Sequence, residues 1–309
     1  MIKYIVILLD DTSPSFCHYN STKREVNLME LDILKDAVSF AMKENCIIQY
    51  VLPDYQLSDN YIRIIEDMNH VNIVSNKSKV EADVIVVDGF DELSVTDFKH
   101  GVSYVLRTDV DTFIDRYHCL VSKLENISRL NIVFTDIEKF TDNNVKRYYN
   151  VLSSLATRLG DLAGNECYPQ INLLTDRLYL HKMNNCNAGV ECVTLAPDGK
   201  FYVCPGFYYD GLGDIGSLKD GLRIKNPQLY TLNKAPICRK CDAYHCKRCV
   251  WLNRKLTLEV NTPSYEQCLI SHLERNATRE YMQTMKCDQT INQIPEISYL
   301  DPLEKILNR

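Results

Sequence analysis

The chain has 309 residues, enough for one large α/β domain and a smaller one, each with its own core. Hydrophobic residues make up 45% and charged residues 25%, and the net charge of −6 argues against a general nucleic-acid binder. The apolar run at the start is too short to span a membrane and meets two aspartates instead of a cleavage site, so we expect no membrane partner and a cytoplasmic location.

Short apolar runs alternate with helix-like segments over residues 1–175. Strands are predicted at 2–9, 46–52, 71–75, 83–88, 102–107 and 130–135. Helices are predicted at 29–45 and near 60–68, 111–126 and 142–159. Because strands that alternate with helices pair in parallel, this pattern predicts an α/β fold, as a partial (β/α) barrel of about six parallel strands or a doubly wound sheet.

The pattern changes around 160–185, which divides the chain into predicted domains of 1–175 and 176–309. In the second domain, VTLAPDGKFYVC at 193–204 predicts a hairpin, because two apolar runs flank a PDG turn. Irregular loops follow, and a helix is predicted at 264–284.

The 13 cysteines are unevenly placed, with eight of them between residues 186 and 268. The stretch CRKCDAYHCKRC at 238–249 holds two CxxC pairs, which alone could bind zinc through four converging thiolates, with His245 as a possible nitrogen ligand. Eight cysteines also make two sets of four, the number that two [4Fe–4S] clusters take. Zinc and iron–sulfur therefore both remain open at this point. The other five cysteines are scattered: Cys17, Cys46, Cys119, Cys167 and Cys287.

The eight clustered cysteines follow a definite order. It runs Cys186, Cys192, Gly199-x₄-Cys204, Cys238-x₂-Cys241-x₄-Cys246-x₂-Cys249 and Cys268. This order closely resembles the SPASM domain, the C-terminal auxiliary-cluster domain of radical SAM enzymes that modify peptides, whose pattern has one more residue in each of the two later spacers.

The resemblance implies two [4Fe–4S] clusters. One would be held by Cys186, Cys192, Cys204 and Cys249, and the other by Cys238, Cys241, Cys246 and Cys268. Basic residues near the motif would stabilise an anionic cluster, or else form a solvated surface; they are Arg239, Lys240, Lys247, Arg248, Arg254 and Lys255.

Two features of radical SAM enzymes are missing from the first domain. Such enzymes hold a further cluster with C-x₃-C-x₂-C after the first strand, where this chain has LLDDTSPSFCHYN and offers only Cys17, next to His18. The Gly-Gly-Glu-Pro stretch after the second strand is replaced by YVLPDYQL, in which Asp54 could stand for the acid. Ordinary cleavage of S-adenosylmethionine by this chain is therefore doubtful.

Acidic residues follow the predicted strands, at the edge of the sheet where (β/α) barrels carry their active sites. Turn or helix-cap chemistry is the interpretation we favour, and binding of a basic peptide or a metal is the alternative. The residues concerned are Asp10, Asp11, Asp54, Asp88, Asp109 and Asp136, with Arg107 as a neighbouring cation.

The stretches IVILLDDTSPSFCHYN and AMKENCIIQYVLPDY, together with the cysteine-rich end, resemble the Cys-x-x-x repeat peptide maturases. This resemblance implies maturation of a cysteine-rich, ribosomally made precursor peptide. In one hypothesis the chain is an enzyme or enzyme subunit, whose clusters engage substrate or transfer electrons, with a radical SAM partner protein or an electron donor. In the second hypothesis it is a non-catalytic peptide-binding scaffold whose clusters serve only the structure. A zinc-stapled interaction domain is a third, separate possibility.

Overall fold

The structure is a computed structural model that describes residues 2–23, 25–165 and 167–284. The chain divides into two compact units. The first runs up to Val86 and adds Cys186–Ala235 and Cys249–Asn261, and the second combines Val87–Asn185 and Pro236–Arg248 with the chain from Thr262 onward. Both units draw segments from either side of residue 175, and the division into domains 1–175 and 176–309 stays a prediction about the sequence.

Strands and helices alternate through the first half of the chain and become short after it. The described strands are β1 (Tyr4–Leu8), β2 (Ile47–Val51), β3 (His70–Ser75), β4 (Val84–Asp88), β5 (Ser103–Thr108), β6 (Arg129–Phe134), β7 (Gln170–Ile171), β8 (Cys192–Leu195), β9 (Phe201–Tyr202), β10 (Gly216–Ser217) and β11 (Gly221–Leu222). The described α-helices are α1 (Leu31–Glu44), α2 (Asp59–Ile65), α3 (Gly89–Val95), α4 (Val110–Val121), α5 (Asp142–Gly164), α6 (Asp176–Tyr179), α7 (Pro205–Tyr209), α8 (Val250–Thr257) and α9 (Tyr265–Thr284).

In the first unit, β1 is the centre of a parallel sheet with the strand order β4-β3-β2-β1-β8-β9. Tyr4 of β1 lies opposite Ile47 of β2 on one side and Cys192 of β8 on the other. β1 reads YIVIL and is buried from its second residue on, because a parallel strand covered on both faces can be apolar throughout. The strand β9 pairs antiparallel with β8 after the turn at Gly199, which has a positive φ of 73°.

The second unit carries the parallel strands β5, β6 and β7, in that order, with the long helices α4, α5 and α9. Helix α5 begins with a capping box in which Thr141 and Asn144 satisfy each other's backbone N–H groups. Its Tyr148 is buried among aromatic side chains, with ring centroids 6.2 Å from Phe113 and 5.8 Å from Phe134. These contacts form the core of this unit.

The predicted α/β class with mostly parallel strands is confirmed, and the described strands of neither unit close into a barrel. All six predicted strands are present within two residues of their expected ends, and so is the hairpin of β8 and β9. Helix α3 was not predicted, because its seven residues are too few to show a helical period. None of the described helices combines the length and the apolar character that a membrane-spanning helix requires.

Candidate functional site

The first predicted ligand set, Cys186, Cys192, Cys204 and Cys249, lies entirely in the first unit. Cys192 begins β8 and is buried, whereas Cys186 lies in the exposed loop before it. Cys204 and Cys249 are the N-cap residues of α7 and α8. A thiol at a helix N-terminus meets free backbone N–H groups and the positive end of the helix dipole, which favour its thiolate form.

The backbone of both helices reaches these thiols. The Sγ of Cys249 accepts a hydrogen bond from the Leu252 N–H at 3.5 Å. Burial raises the pKa of Cys204, and hydrogen bonds from the backbone N–H groups of Phe207 and Gly206 in α7 offset part of this rise. The two cysteines therefore have matching environments at the starts of their helices.

Helices α7 and α8 pack closely because Gly206 has no side chain. A Cβ built on Gly206 would lie 2.6 Å from both Cδ1 and Cγ of Trp251, which is closer than real Cβ contacts come. The indole N–H of Trp251 also donates to Asp210 Oδ2 at 2.6 Å. Gly206 and Trp251 each lie two residues beyond a predicted ligand, Cys204 or Cys249, so this contact joins the first turns of the two helices that those cysteines precede.

The four thiols of this set act on one another. Burial raises the pKa of Cys192, and Cys186 raises it further. Burial also holds the pKa of Cys204 well above its usual value, with Cys249 and Cys186 adding to the effect. Each of the four cysteines is thus within electrostatic reach of at least one other. Protonated thiols of this kind release their protons when a metal binds.

The second predicted set, Cys238, Cys241, Cys246 and Cys268, lies entirely in the second unit. Burial raises the pKa of Cys238 to about 12, with contributions from Cys246 and Cys241, and raises that of Cys241 to about 11, with a contribution from Cys246. These three thiols therefore act electrostatically on one another.

Helix α9 carries Cys268, the fourth cysteine of this set. Cys268, Ser271 and His272 share one face of the helix, because they are three and four residues apart. The Nε2 of His272 lies 3.4 Å from the Sγ of Cys241. Burial raises the pKa of the half-buried Cys246, and Ser271 partly offsets this rise. Cys268 thus lies one turn before the residues of α9 that contact the other thiols.

His245, considered from the sequence as a nitrogen ligand, is buried against a carboxylate. Its Nε2 lies 3.1 Å from Glu274 Oε2, and the other oxygen of Glu274 accepts a hydrogen bond from Tyr148 at 2.7 Å. Tyr148 is itself buried, which raises its pKa well above the usual value. This buried triad connects the cysteine loop to α5 and α9.

As the described side chains stand, no group of three or more His, Cys, Asp and Glu residues could hold a metal ion. The two ligand sets therefore stay predictions about this chain. The structure does show that each set falls in a single unit. Cys287 lies outside the described residues.

Of the six basic residues around the motif, only Arg248 is buried, with 2% of its surface exposed. Lys247 is half-buried and lies 3.9 Å from Asp176. The other four are exposed, which fits a solvated surface: Arg239, Lys240, Arg254 and Lys255.

The two aspartates after β1 hold the following loop in place. Asp10 is fully buried and accepts hydrogen bonds from the Asn27 N–H and the Tyr55 hydroxyl, both at 2.9 Å. Asp11 accepts from Asn27 Nδ2 at 3.0 Å and from the Tyr208 hydroxyl at 2.6 Å. This supports the interpretation that these acids serve loop structure. Cys17 lies in the same loop and is partly exposed.

The other acids at strand ends have similar roles. Asp109 caps α4 by accepting from the Thr112 N–H at 2.8 Å, and Asp136 accepts from the Val110 N–H at 2.9 Å. Asp88 is exposed and lies 3.6 Å from a guanidinium nitrogen of Arg107. Asp54 accepts a hydrogen bond from the Ser75 hydroxyl.

A cavity of about 430 Å³ opens beyond the ends of β2 and β3 in the first unit. Its walls come from the segment that replaces the Gly-Gly-Glu-Pro stretch and from the loop after β3. They include Pro53, Asp54, Tyr55, Lys77 and Lys79. This cavity of the first unit could hold a small ligand.

No protein-family model and no curated protein matches the chain. Several solved structures do match it. The structure of anSMEcpe with bound AdoMet has a TM-score of 0.63 at 12% identity, over 92% of this chain and 99% of the other. The structure of anSMEcpe with bound AdoMet and Cp18Cys peptide has a TM-score of 0.61, at the same identity and coverage. SuiB of Streptococcus suis, bound to S-adenosylmethionine, has a TM-score of 0.50 at 12% identity, over 86% of this chain and 77% of the other.

The chain therefore shares its fold with anSMEcpe and SuiB. The likeness is one of fold, since so few residues are identical, and it does not extend to the Cys-x-x-x repeat maturases as a particular family. The order of the cysteines had already suggested a likeness to this group of proteins. Gly206 and Trp251 were not predicted, although the single tryptophan of the chain lies two residues after a predicted ligand.

Proposed function

We propose that this protein takes part in the maturation of a cysteine-rich peptide and holds two [4Fe–4S] clusters, one in each cysteine set. The observation that carries the proposal is the partition of the eight cysteines. The set implied for one cluster lies in the first unit and the set implied for the other lies in the second, although the two sets interleave along the chain. Such a partition is expected if each set of thiols gathers around its own centre.

The order of the cysteines, which resembles that of the SPASM domain, favours clusters over zinc. Zinc held by four thiolates is the alternative, and metal analysis distinguishes the two.

A third cluster does not fit the first unit. The loop after β1 offers Cys17 alone, and Asp10 and Asp11 are engaged in hydrogen bonds within the unit. No step of S-adenosylmethionine cleavage is therefore assigned to this chain, and radical chemistry would come from a partner protein. The compared structures contain bound AdoMet, which argues against our expectation that this chain does not use the cofactor in the ordinary way. Binding of AdoMet should be tested at the cavity beside Asp54.

The role of the clusters follows from the number of their ligands. Each set supplies four thiolates, which fill the four iron positions of a [4Fe–4S] core. Such clusters transfer electrons or stabilise the fold, and they leave no iron open for a substrate thiolate. The peptide itself is proposed from the family resemblance and from the peptide bound in a compared structure.

A non-catalytic scaffold is the second candidate. The segment from 205 to 249 contains only short elements, such as the two-residue strands β10 and β11. Loops of this kind have little apolar core, so metal centres would contribute much of their stability. In that case the clusters would hold a peptide-binding surface together and take no part in chemistry.

Metal analysis of protein purified without oxygen tests the cluster assignment. We expect about eight iron and eight sulfide ions per chain, since each [4Fe–4S] cluster carries four of each. Cys241→Ser should reduce the iron to about half, and Cys119→Ser, an exposed cysteine outside both sets, should leave it unchanged. Unchanged iron in Cys241→Ser would contradict the ligand assignment, and stoichiometric zinc without iron would contradict the clusters.

Incubation with peptide distinguishes the enzyme from the scaffold. The reconstituted protein is mixed with AdoMet, dithionite and a peptide of repeated cysteines, and the peptide mass is measured with and without a radical SAM partner protein. A mass change only with the partner supports a subunit role. A mass change without it would contradict the absence of a working third cluster, and peptide binding without any mass change supports the scaffold.

A further inference from the structure

Basic residues are concentrated in the late segments of the first unit, although the chain as a whole is acidic. From β10 onward, residues 216–235 and 249–261 contain six lysines and arginines and two acids, a net charge of +4, whereas the whole chain carries −6. All six basic side chains are exposed. This part of the first unit therefore presents positive charge to the solvent.

Tyr230 connects this basic region to the first cysteine set. A Cβ built on Gly189, in the loop between the first two predicted ligands, would lie 3.0 Å from the Tyr230 ring, so the ring packs directly on that loop. Burial raises the pKa of Tyr230, Arg254 of α8 offsets part of this rise, and Cys204 adds to it. Tyr230 is therefore within electrostatic reach of both an exposed cation and a predicted ligand.

Two more exposed cations flank Tyr230 along the chain. Two consecutive 3₁₀ turns, Pro227–Tyr230 and Leu232–Lys234, keep this segment compact. Lys225 lies just before these turns and Lys234 ends them, so each is within five residues of Tyr230. The turns therefore hold both lysines near the tyrosine that covers the cysteine loop.

We call Lys225, Lys234 and Arg254 the basic face. None of the three forms an ion pair with a carboxylate of the described chain. Leu229, which is 39% exposed, adds an apolar side chain beside Tyr230. A small surface of this kind suits the weak complexes that redox proteins form, and its charge would speed the encounter with an acidic partner.

The position of the basic face favours an electron donor over a peptide as that partner. Of the eight predicted ligands, all of which are described, Cys186 alone is exposed, and it lies three residues before Gly189 in the loop on which Tyr230 packs. A donor must bring its redox group close to a cluster, and this is where the first set comes closest to solvent. Four thiolates on one cluster leave no iron open for a peptide thiol.

We propose that the basic face docks an acidic one-electron donor protein, such as one that carries a reduced flavin, which reduces the cluster of the first set. This inference rests on the proposed function, because it requires that cluster to be present. The flavin gives up one electron and the cluster gains it, while no bond forms or breaks and no proton moves. Opposite charges on the two proteins would steer the encounter, so its rate should fall as salt is added.

The test measures how fast a reduced, acidic flavodoxin bleaches the cluster absorbance of the iron-containing protein in a stopped-flow mixer. In the Lys234→Glu, Arg254→Glu double variant, the second-order rate constant at low ionic strength should fall at least about tenfold, and added salt should shrink the difference. The matched control is Lys43→Glu, Lys146→Glu, which changes the net charge equally on exposed lysines of α1 and α5. This control should react like the wild type.

Reduced methyl viologen, a small cation, is the second donor, and it should reduce the double variant at least as fast as the wild type. A double variant that reacts with flavodoxin as fast as the matched control overturns the inference. Equal slowing with both donors also overturns it, because the cluster itself would then be altered. Weaker peptide binding with unchanged donor rates would assign the basic face to the peptide instead. Iron is measured in each sample, and wild-type protein without iron overturns the proposed function as well.

Discussion

The contact between Gly206 and Trp251 gives a sharp test of how the first cysteine set is built. In Gly206→Ala, the new methyl carbon would lie 2.6 Å from two atoms of the indole ring. The backbone of Gly206 has no positive φ, so alanine is permitted there and the cost is steric alone. Trp251 is 4% exposed and cannot turn aside without disturbing the packing around it.

Overpacking of this kind costs about 1–3 kcal/mol. For domains of 150–250 residues, 1 kcal/mol corresponds to about 2–4 °C in the melting temperature, so we expect Gly206→Ala to melt several degrees below the wild type. Because α7 and α8 begin at Cys204 and Cys249, separating the helices also separates these two thiols. Iron bound by the first set should fall in the same variant.

Calorimetry and iron analysis measure the two effects. The control is Gly160→Ala in α5, four residues before the helix ends, where an added Cβ meets nothing within 4 Å and alanine should stabilise the helix by about 0.5–1 kcal/mol. Adding Trp251→Ala should remove most of the cost of Gly206→Ala, since the clash requires both residues. The reasoning is wrong if Gly206→Ala melts as high as Gly160→Ala and keeps its iron.

Two further predictions concern acids at strand ends. Asp10→Ala leaves the Asn27 N–H and the Tyr55 hydroxyl without their buried acceptor, so the free energy of unfolding should fall by about 2–4 kcal/mol; a loss below about 0.5 kcal/mol in urea denaturation would refute this role. Burial raises the pKa of Asp109, but hydrogen bonds from Thr112 outweigh burial and hold it below the usual value. Its stabilising effect is therefore present above the unfolded pKa of about 3.9 and lost as pH falls through the folded value. Asp109→Ala should cost about 1 kcal/mol at pH 7 and less near pH 3, and a cost that is the same at both pH values would show that the charge is not responsible.

The elements of the first half of the chain were predictable because their signals are local. The run IKYIVILL predicts β1 whatever surrounds it, and apolar residues at helical spacing predict α1, whose Leu34, Ala37 and Val38 are buried as expected. The Asp-Gly turn likewise predicts the hairpin of β8 and β9. What could not be predicted is the place of β8, which pairs in parallel with β1 across nearly 190 residues of sequence.

The candidate site also has features that the sequence predicted and features that it could not predict. The resemblance of the cysteine order to the SPASM domain implies the two sets of four, and these sets stay predictions. The buried positions of Arg177 and Arg275 were not predictable, since an arginine in a helical segment is usually solvated. Nor was the pairing of His245 with Glu274, which joins two segments that no motif connects.

The sequence by itself determined the six strands of the first half of the chain, the longer helices, the hairpin and the number of cysteines available. The tertiary structure decided that Cys249 lies in the unit of Cys204 and Cys246 in the unit of Cys268, although only two residues separate Cys246 from Cys249. It also decided which arginines are buried with the second set. The reason is that propensities act over a few residues, whereas burial and charge balance depend on contacts between segments that are far apart in the chain.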